Sequence, residues 1–159
     1  MNDYRLNITG FLLLLIAISI SSCSTPKDST SDIKPLITSK SYIFKAQTAL
    51  PMGGSVVQLT SPYDLRVSRD SVVAYLPYYG RAYNIDPYSS EGGIKFTSTK
   101  FNYKVNEAKK GGYQVTIVPT DQRDVRQLYL TVYPSGNASL QVSSNNRQPI
   151  TFEGFVSAK

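Results

Sequence analysis

A two-residue hydrophobic rhythm, recurring from about Ser39 to the C-terminus, constrains this chain most. Tyr42, Phe44 and Ala46 alternate with Ile43, Lys45 and Gln47, and Leu65 and Val67 with Arg66 and Ser68. The same parity returns in Ile94 and Phe96, in Phe101, Tyr103 and Val105, in Tyr113, Val115 and Ile117, and in Leu128, Leu130 and Val132. It closes with Ala138, Leu140 and Val142, then Ile150, Phe152 and Val156. Successive side chains of a strand point to opposite faces, so each run reads as a strand with one buried side. Val56–Leu59 and Ser71–Leu76 are more continuously apolar, and the latter suits a central strand. Arg69-Asp70, Lys110-Gly111-Gly112 and Pro134-Ser135-Gly136-Asn137 supply turns. Helical spacing is not sustained anywhere, with at most one turn near Asp121–Val125. About eight or nine short strands at roughly 8–12-residue spacing define an all-β domain. A single antiparallel meander is expected, rolled into a small barrel or a strongly twisted sandwich.

The beginning of the chain obeys different rules. Arg5 precedes the apolar run Phe11–Ile20, too short for a span that needs about 20 residues. The run ends in Ile20-Ser21-Ser22-Cys23, which resembles a bacterial lipobox and holds the only cysteine of the 159 residues. Small side chains before the scissile bond fit a narrow protease groove, and the thiol is where diacylglycerol is attached. The resemblance to lipoproteins implies cleavage before Cys23 and acylation of its new amine, with palmitate as a typical chain. Two or more acyl chains hold a protein on a bilayer durably. The expected organisation is therefore a signal peptide over 1–22, an acylated cysteine and flexible linker over 23–38, and the β domain over 39–159. A flexible linker of about 15 residues reaches about 20–25 Å.

Composition removes whole classes of chemistry. With no histidine, His-based metal sites, triads and proton shuttles are excluded. One cysteine excludes an internal disulfide. The net charge is +6, and losing Asp3 and Arg5 with the leader leaves it there. Export and the lack of a recognition motif argue against nucleic acid. Anionic head groups or acidic glycans are the partners such a charge would meet. The basic residues, Arg147 among them, are scattered as on solvated strand faces.

Among the 12 tyrosines, five crowd one stretch: Tyr75, Tyr78, Tyr79, Tyr83 and Tyr88, with Arg81 between them. Pro77 ends the preceding strand, and Gly80 permits a positive φ. Tyr and Arg combine apolar bodies with donors and dominate recognition surfaces. Tyr75, Tyr78, Tyr79, Arg81 and Tyr83 are thus the candidate binding residues. A packing role fits the same residues, with the rings closing one barrel end and Arg81 stacked on a ring or paired with Asp86.

The string Val73-Ala74-Tyr75-Leu76-Pro77-Tyr78-Tyr79-Gly80-Arg81-Ala82-Tyr83, followed by Gly92-Gly93-Ile94-Lys95-Phe96, resembles the hallmark of domain-of-unknown-function family 4251. Tyr63–Val67, Lys110–Tyr113, Gly136–Leu140 and Asn146–Ile150 extend the likeness over about Tyr42 to Val156. The resemblance implies small lipoproteins of Bacteroidota envelopes and an all-β domain. It carries no assigned activity, ligand or catalytic residue.

No catalytic constellation is visible. The acids lie mostly in turns, Asp121 and Asp124 lack the pattern of a calcium loop, and the Gly-Gly pairs lack the Lys-Ser/Thr of a phosphate loop. The expectation is a non-enzymatic envelope domain with no metal or cofactor. It would bind a glycan, lipid or protein through the tyrosine-rich stretch, anchored to a membrane, the outer one on either face. Alternatives are a carrier holding an apolar ligand in the barrel mouth, and a divergent glycan-acting hydrolase.

Overall fold

In the computed structural model, which describes residues 33–83, 92–108 and 111–159, the alternating segments become nine strands. They are β1 (Tyr42–Pro51), β2 (Val57–Val67), β3 (Val72–Pro77), β4 (Gly93–Ser98), β5 (Phe101–Glu107), β6 (Tyr113–Pro119), β7 (Val125–Val132), β8 (Asn137–Ser144) and β9 (Ile150–Ala158). All pair antiparallel in one sheet, ordered β4-β3-β2-β1-β9-β8-β7-β6-β5, rolled into a nearly closed barrel. The buried parity is the expected one: Tyr42, Phe44, Leu65, Leu130, Leu140 and Phe152 are wholly buried.

Nine is an odd number, and antiparallel neighbours must alternate in direction around a ring. Across the sheet order, β4 and β5 therefore run the same way. Only Thr99 and Lys100 separate them, whereas side-by-side parallel strands need a crossover of about a dozen residues. They must lie end to end. They act as one bent strand whose first half pairs with β3 and second half with β6. The ring then has an even count and can close.

The corner is pinned from the β6–β7 loop. Asp121 accepts hydrogen bonds from the buried Ser98 Oγ (2.5 Å) and from the backbone N–H groups of Thr99 (2.9 Å) and Lys100 (3.2 Å). Those donors, Ser98 foremost, hold its carboxyl down to about 2 from an ordinary 3.8. Because the folded value lies below the unfolded one, this stabilisation is complete above about pH 4 and drains as pH falls toward 2. Asp121→Asn is expected to lower the urea midpoint at pH 5 and to match the parent at pH 2. A midpoint gap independent of pH would show that the carboxylate charge contributes nothing.

Each half of the bent strand leaves one edge without a ladder partner. On β4, the Thr97 carbonyl accepts from Gln122 Nε2 and the Gly93 carbonyl from Arg147 Nη1, both at 2.9 Å. Against β5 lies a helix, α1 (Ile33–Ser39), whose Ile37 carbonyl accepts from Tyr103 Oη at 2.9 Å. Tyr42 Oη lies 3.3 Å from the same hydroxyl. Burial pushes Tyr103 up to about 12 and Tyr42 well above its ordinary value, so both stay neutral donors.

Two local expectations are corrected. The stretch read as linker through Thr38 is helical from Ile33, with Ile33 and Ile37 buried one turn apart. The helix stops where Lys40 turns left-handed (φ 54°) and Ser41 N–H reaches back to the Leu36 carbonyl. Seven residues are too few for a helical pattern to stand out. Conversely, the helical turn expected near Asp121–Val125 is loop running into β7. A register slip at Arg126 puts Val125 and Leu128 on one face, so a bulge mimics helical spacing.

Candidate functional site

β1 and β3 run in the same direction, so the β1–β2 turn, the segment after β3 and the β8–β9 loop gather at one end of the barrel. Pro51 to Gly54 closes as a β-turn, with Gly53 at φ 73° and Gly54 N–H on the Pro51 carbonyl at 3.2 Å. Beside it, Tyr78 folds back as a tie. Its Oη lies 2.8 Å from the Arg81 carbonyl and 3.1 Å from that of Gln148, so one proton serves two acceptors. Burial raises its pKa, against the opposing pull of the Gln148 bond and the Arg147 charge.

Gly80 is needed here for space. Its φ is not positive, but a Cβ would strike the Tyr78 hydroxyl. Arg81 to Tyr83 then pairs with Asn146 to Gln148 through a bridge at Ala82 and Arg147, with Tyr83 N–H on the Asn146 carbonyl at 2.7 Å.

Arg147 holds these parts together, contrary to the solvated strand face expected of it. Its guanidinium sits 5.2 Å above the Tyr78 ring, donates to the Gly93 carbonyl and pairs with Asp124 at 3.5 Å. Arg147→Met keeps most of its bulk and removes all three contacts. It is expected to cost about 2 kcal/mol in urea unfolding and to speed hydrogen exchange at the Tyr83 amide. Unchanged exchange there would mean that the bridge stands without the arginine.

The five candidate residues part company. Tyr79 and Arg81 line a cleft of about 440 Å³ with Pro51, Met52, Gly53, Gly54, Gly80 and Gln148. Tyr78 is a structural tie. Tyr75 faces out from the wall of β3, stacked on Tyr63 at 5.6 Å with the Lys95 ammonium 5.0 Å from its ring. Tyr83 is exposed past the bridge. The Arg81 side chain touches no ring or carboxylate among the described residues. Asp86, Tyr88 and the lipidation candidate Cys23 lie outside those residues. Sequence reasoning missed Met52 and Gln148, because nothing local announces that two distant turns will face the tyrosine segment.

Among the described residues the barrel interior is packed with side chains. Phe44, Leu65, Ile117, Leu130, Leu140 and Phe152 are all wholly buried against one another in one core. Four of the described acids have structural partners: Asp64 on Arg66, Asp121 at the corner, Asp124 on Arg147, Glu153 on Ser139.

The family model for a domain of unknown function, DUF4251, matches residues 25–156. The chain belongs to that family. A DUF4251 family protein from Bacteroides eggerthii DSM 20697, known from a crystal structure, is similar with a TM-score of 0.59 and 17% identity. The match covers 82% of this chain and 87% of that one, and at this identity it speaks for the fold alone. No curated protein matches.

Proposed function

We propose that this DUF4251 domain is a non-catalytic binding module, tethered to an envelope membrane through Cys23, with the cleft as its contact surface. The observation that carries the reading is the meeting of Tyr79 and Arg81 with two other turns around about 440 Å³ of open space. Ligand sites are commonly of about this size. The filled barrel favours the cleft over an internal cavity. The described chain begins at α1, beside the start of β1, whereas the cleft lies where β1 ends. The 10 residues of β1 separate the two by about 30 Å.

The test takes intact protein in detergent against envelope polysaccharides and phospholipid vesicles, with Tyr79→Ala and Arg81→Ala alongside. Either variant is expected to weaken one interaction at least about tenfold without moving the unfolding midpoint. If both fold normally and every interaction is unchanged, the cleft is not the contact surface. For the tether, Cys23→Ser is expected to release the protein from the membrane fraction, and mass spectrometry finding an unmodified Cys23 in native material would refute it.

A further inference from the structure

Resting on that reading, we infer that the cleft takes a sugar ring carrying a single carboxylate, a ligand of the hexuronic acid type. Three features of the lining lead there. Arg81 is the only charged residue of the lining among the described residues, and no partner among them neutralises it. A guanidinium is a planar fork that matches a carboxylate with two parallel hydrogen bonds. One cation offsets one negative charge, whereas a nucleotide polyphosphate needs several.

Tyr79 is the second feature. It is 44% exposed and borders the same space, an aromatic ring of the kind that stacks on the C–H side of a pyranose. Neighbouring Tyr78 is locked by its two carbonyls and Gly80 leaves no bulk beside it, so the Tyr79-Gly80-Arg81 step is held open at its base.

The third is the rest of the lining. Gln148 brings an amide able to donate and accept. Gly53 presents bare backbone, since a Cβ there would meet nothing within 4 Å. Groups of this kind satisfy ring hydroxyls. An aliphatic ligand would want a Leu, Ile and Phe lining, whereas among the described residues Met52 and Pro51 are the only apolar aliphatics there.

Calorimetric titration of the intact protein in detergent with glucuronate, glucose and inorganic phosphate tests the assignment. Glucuronate is expected to bind at least about tenfold more tightly than glucose, the gap a charge-assisted hydrogen bond supplies. Raising salt should narrow it. Arg81→Gln should abolish the preference, bringing glucuronate down to the level of glucose, and Tyr79→Ala should weaken both sugars. Equal binding of the two sugars, phosphate binding as tightly as glucuronate, or a preference that survives Arg81→Gln would each overturn the inference. If Tyr79→Ala and Arg81→Ala abolish capture of an envelope polymer while the two sugars bind alike, the acidic-sugar assignment alone falls and the contact surface stands.

Discussion

Gly154→Val is expected to abolish the soluble barrel or to cost at least about 3 kcal/mol. Gly154 is buried in β9 opposite Ala46 of β1 and Ala138 of β8, a row of small residues across three adjacent strands. Immediately beyond that row, β1 bulges at Gln47, slipping the register between Ala46 and Thr48 against both of its neighbours. The bulge accompanies a close approach of the strands, and any Cβ on Gly154 would run into the carbonyl of Lys45. That obstacle is backbone, which cannot swing aside as a side chain would. The β1–β9 pairing also joins the two halves of the sheet, so a disturbance there is felt by the whole ring. Gly92→Ala serves as the control, since a Cβ at that position meets nothing within 4 Å and its φ is not positive. It should stay within about 0.5 kcal/mol of the parent. Urea denaturation followed by tyrosine fluorescence measures both. A Gly154→Val chain as stable as the Gly92→Ala chain would contradict the close approach.

Phe152→Ala is expected to lose about 3–5 kcal/mol and to lower the melting temperature by about 10–20 °C. Phe152 is wholly buried at the middle of the sheet, between Ala49 of β1 and Leu140 of β8. Ala49 is small and cannot expand into the vacated volume, so the lost contacts add a cavity to the lost transfer energy. Phe152→Leu should cost less than about 1.5 kcal/mol, because volume is largely kept. Calorimetric melting separates the outcomes. A Phe152→Ala loss below about 1 kcal/mol would show slack in the interior and reopen the carrier reading.

The sequence displayed most of what is local in this protein. Burying one face of a pleated strand leaves a mark every second residue, and the runs from Tyr42 to Val156 carry it without ambiguity. The turns at Gly111 and Gly136 were equally legible, since φ values of 78° and 88° call for glycine. The strand-break Pro77 and the aromatic density after it drew attention to the segment that lines the cleft. They could not say which ring would tie down the loop and which would face solvent. That division depends on carbonyls of Arg81 and Gln148 that meet only once the chain has folded.

Closure itself had no local sign. Whether β4 and β5 pair side by side or run in line follows from the directions of all nine strands together. The loop residues that seal the open edges, Asp121, Gln122 and Arg147, lie more than 20 residues from the backbone they hold. α1 was hidden because seven residues with two buried isoleucines are too brief a pattern, and its partners in the core, with Tyr103 on its Ile37 carbonyl, lie far along the chain. Periodicity encodes the faces of strands because it is a property of neighbours in sequence. The ring, its seals and the cleft are properties of neighbours in space, and only packing brings those together.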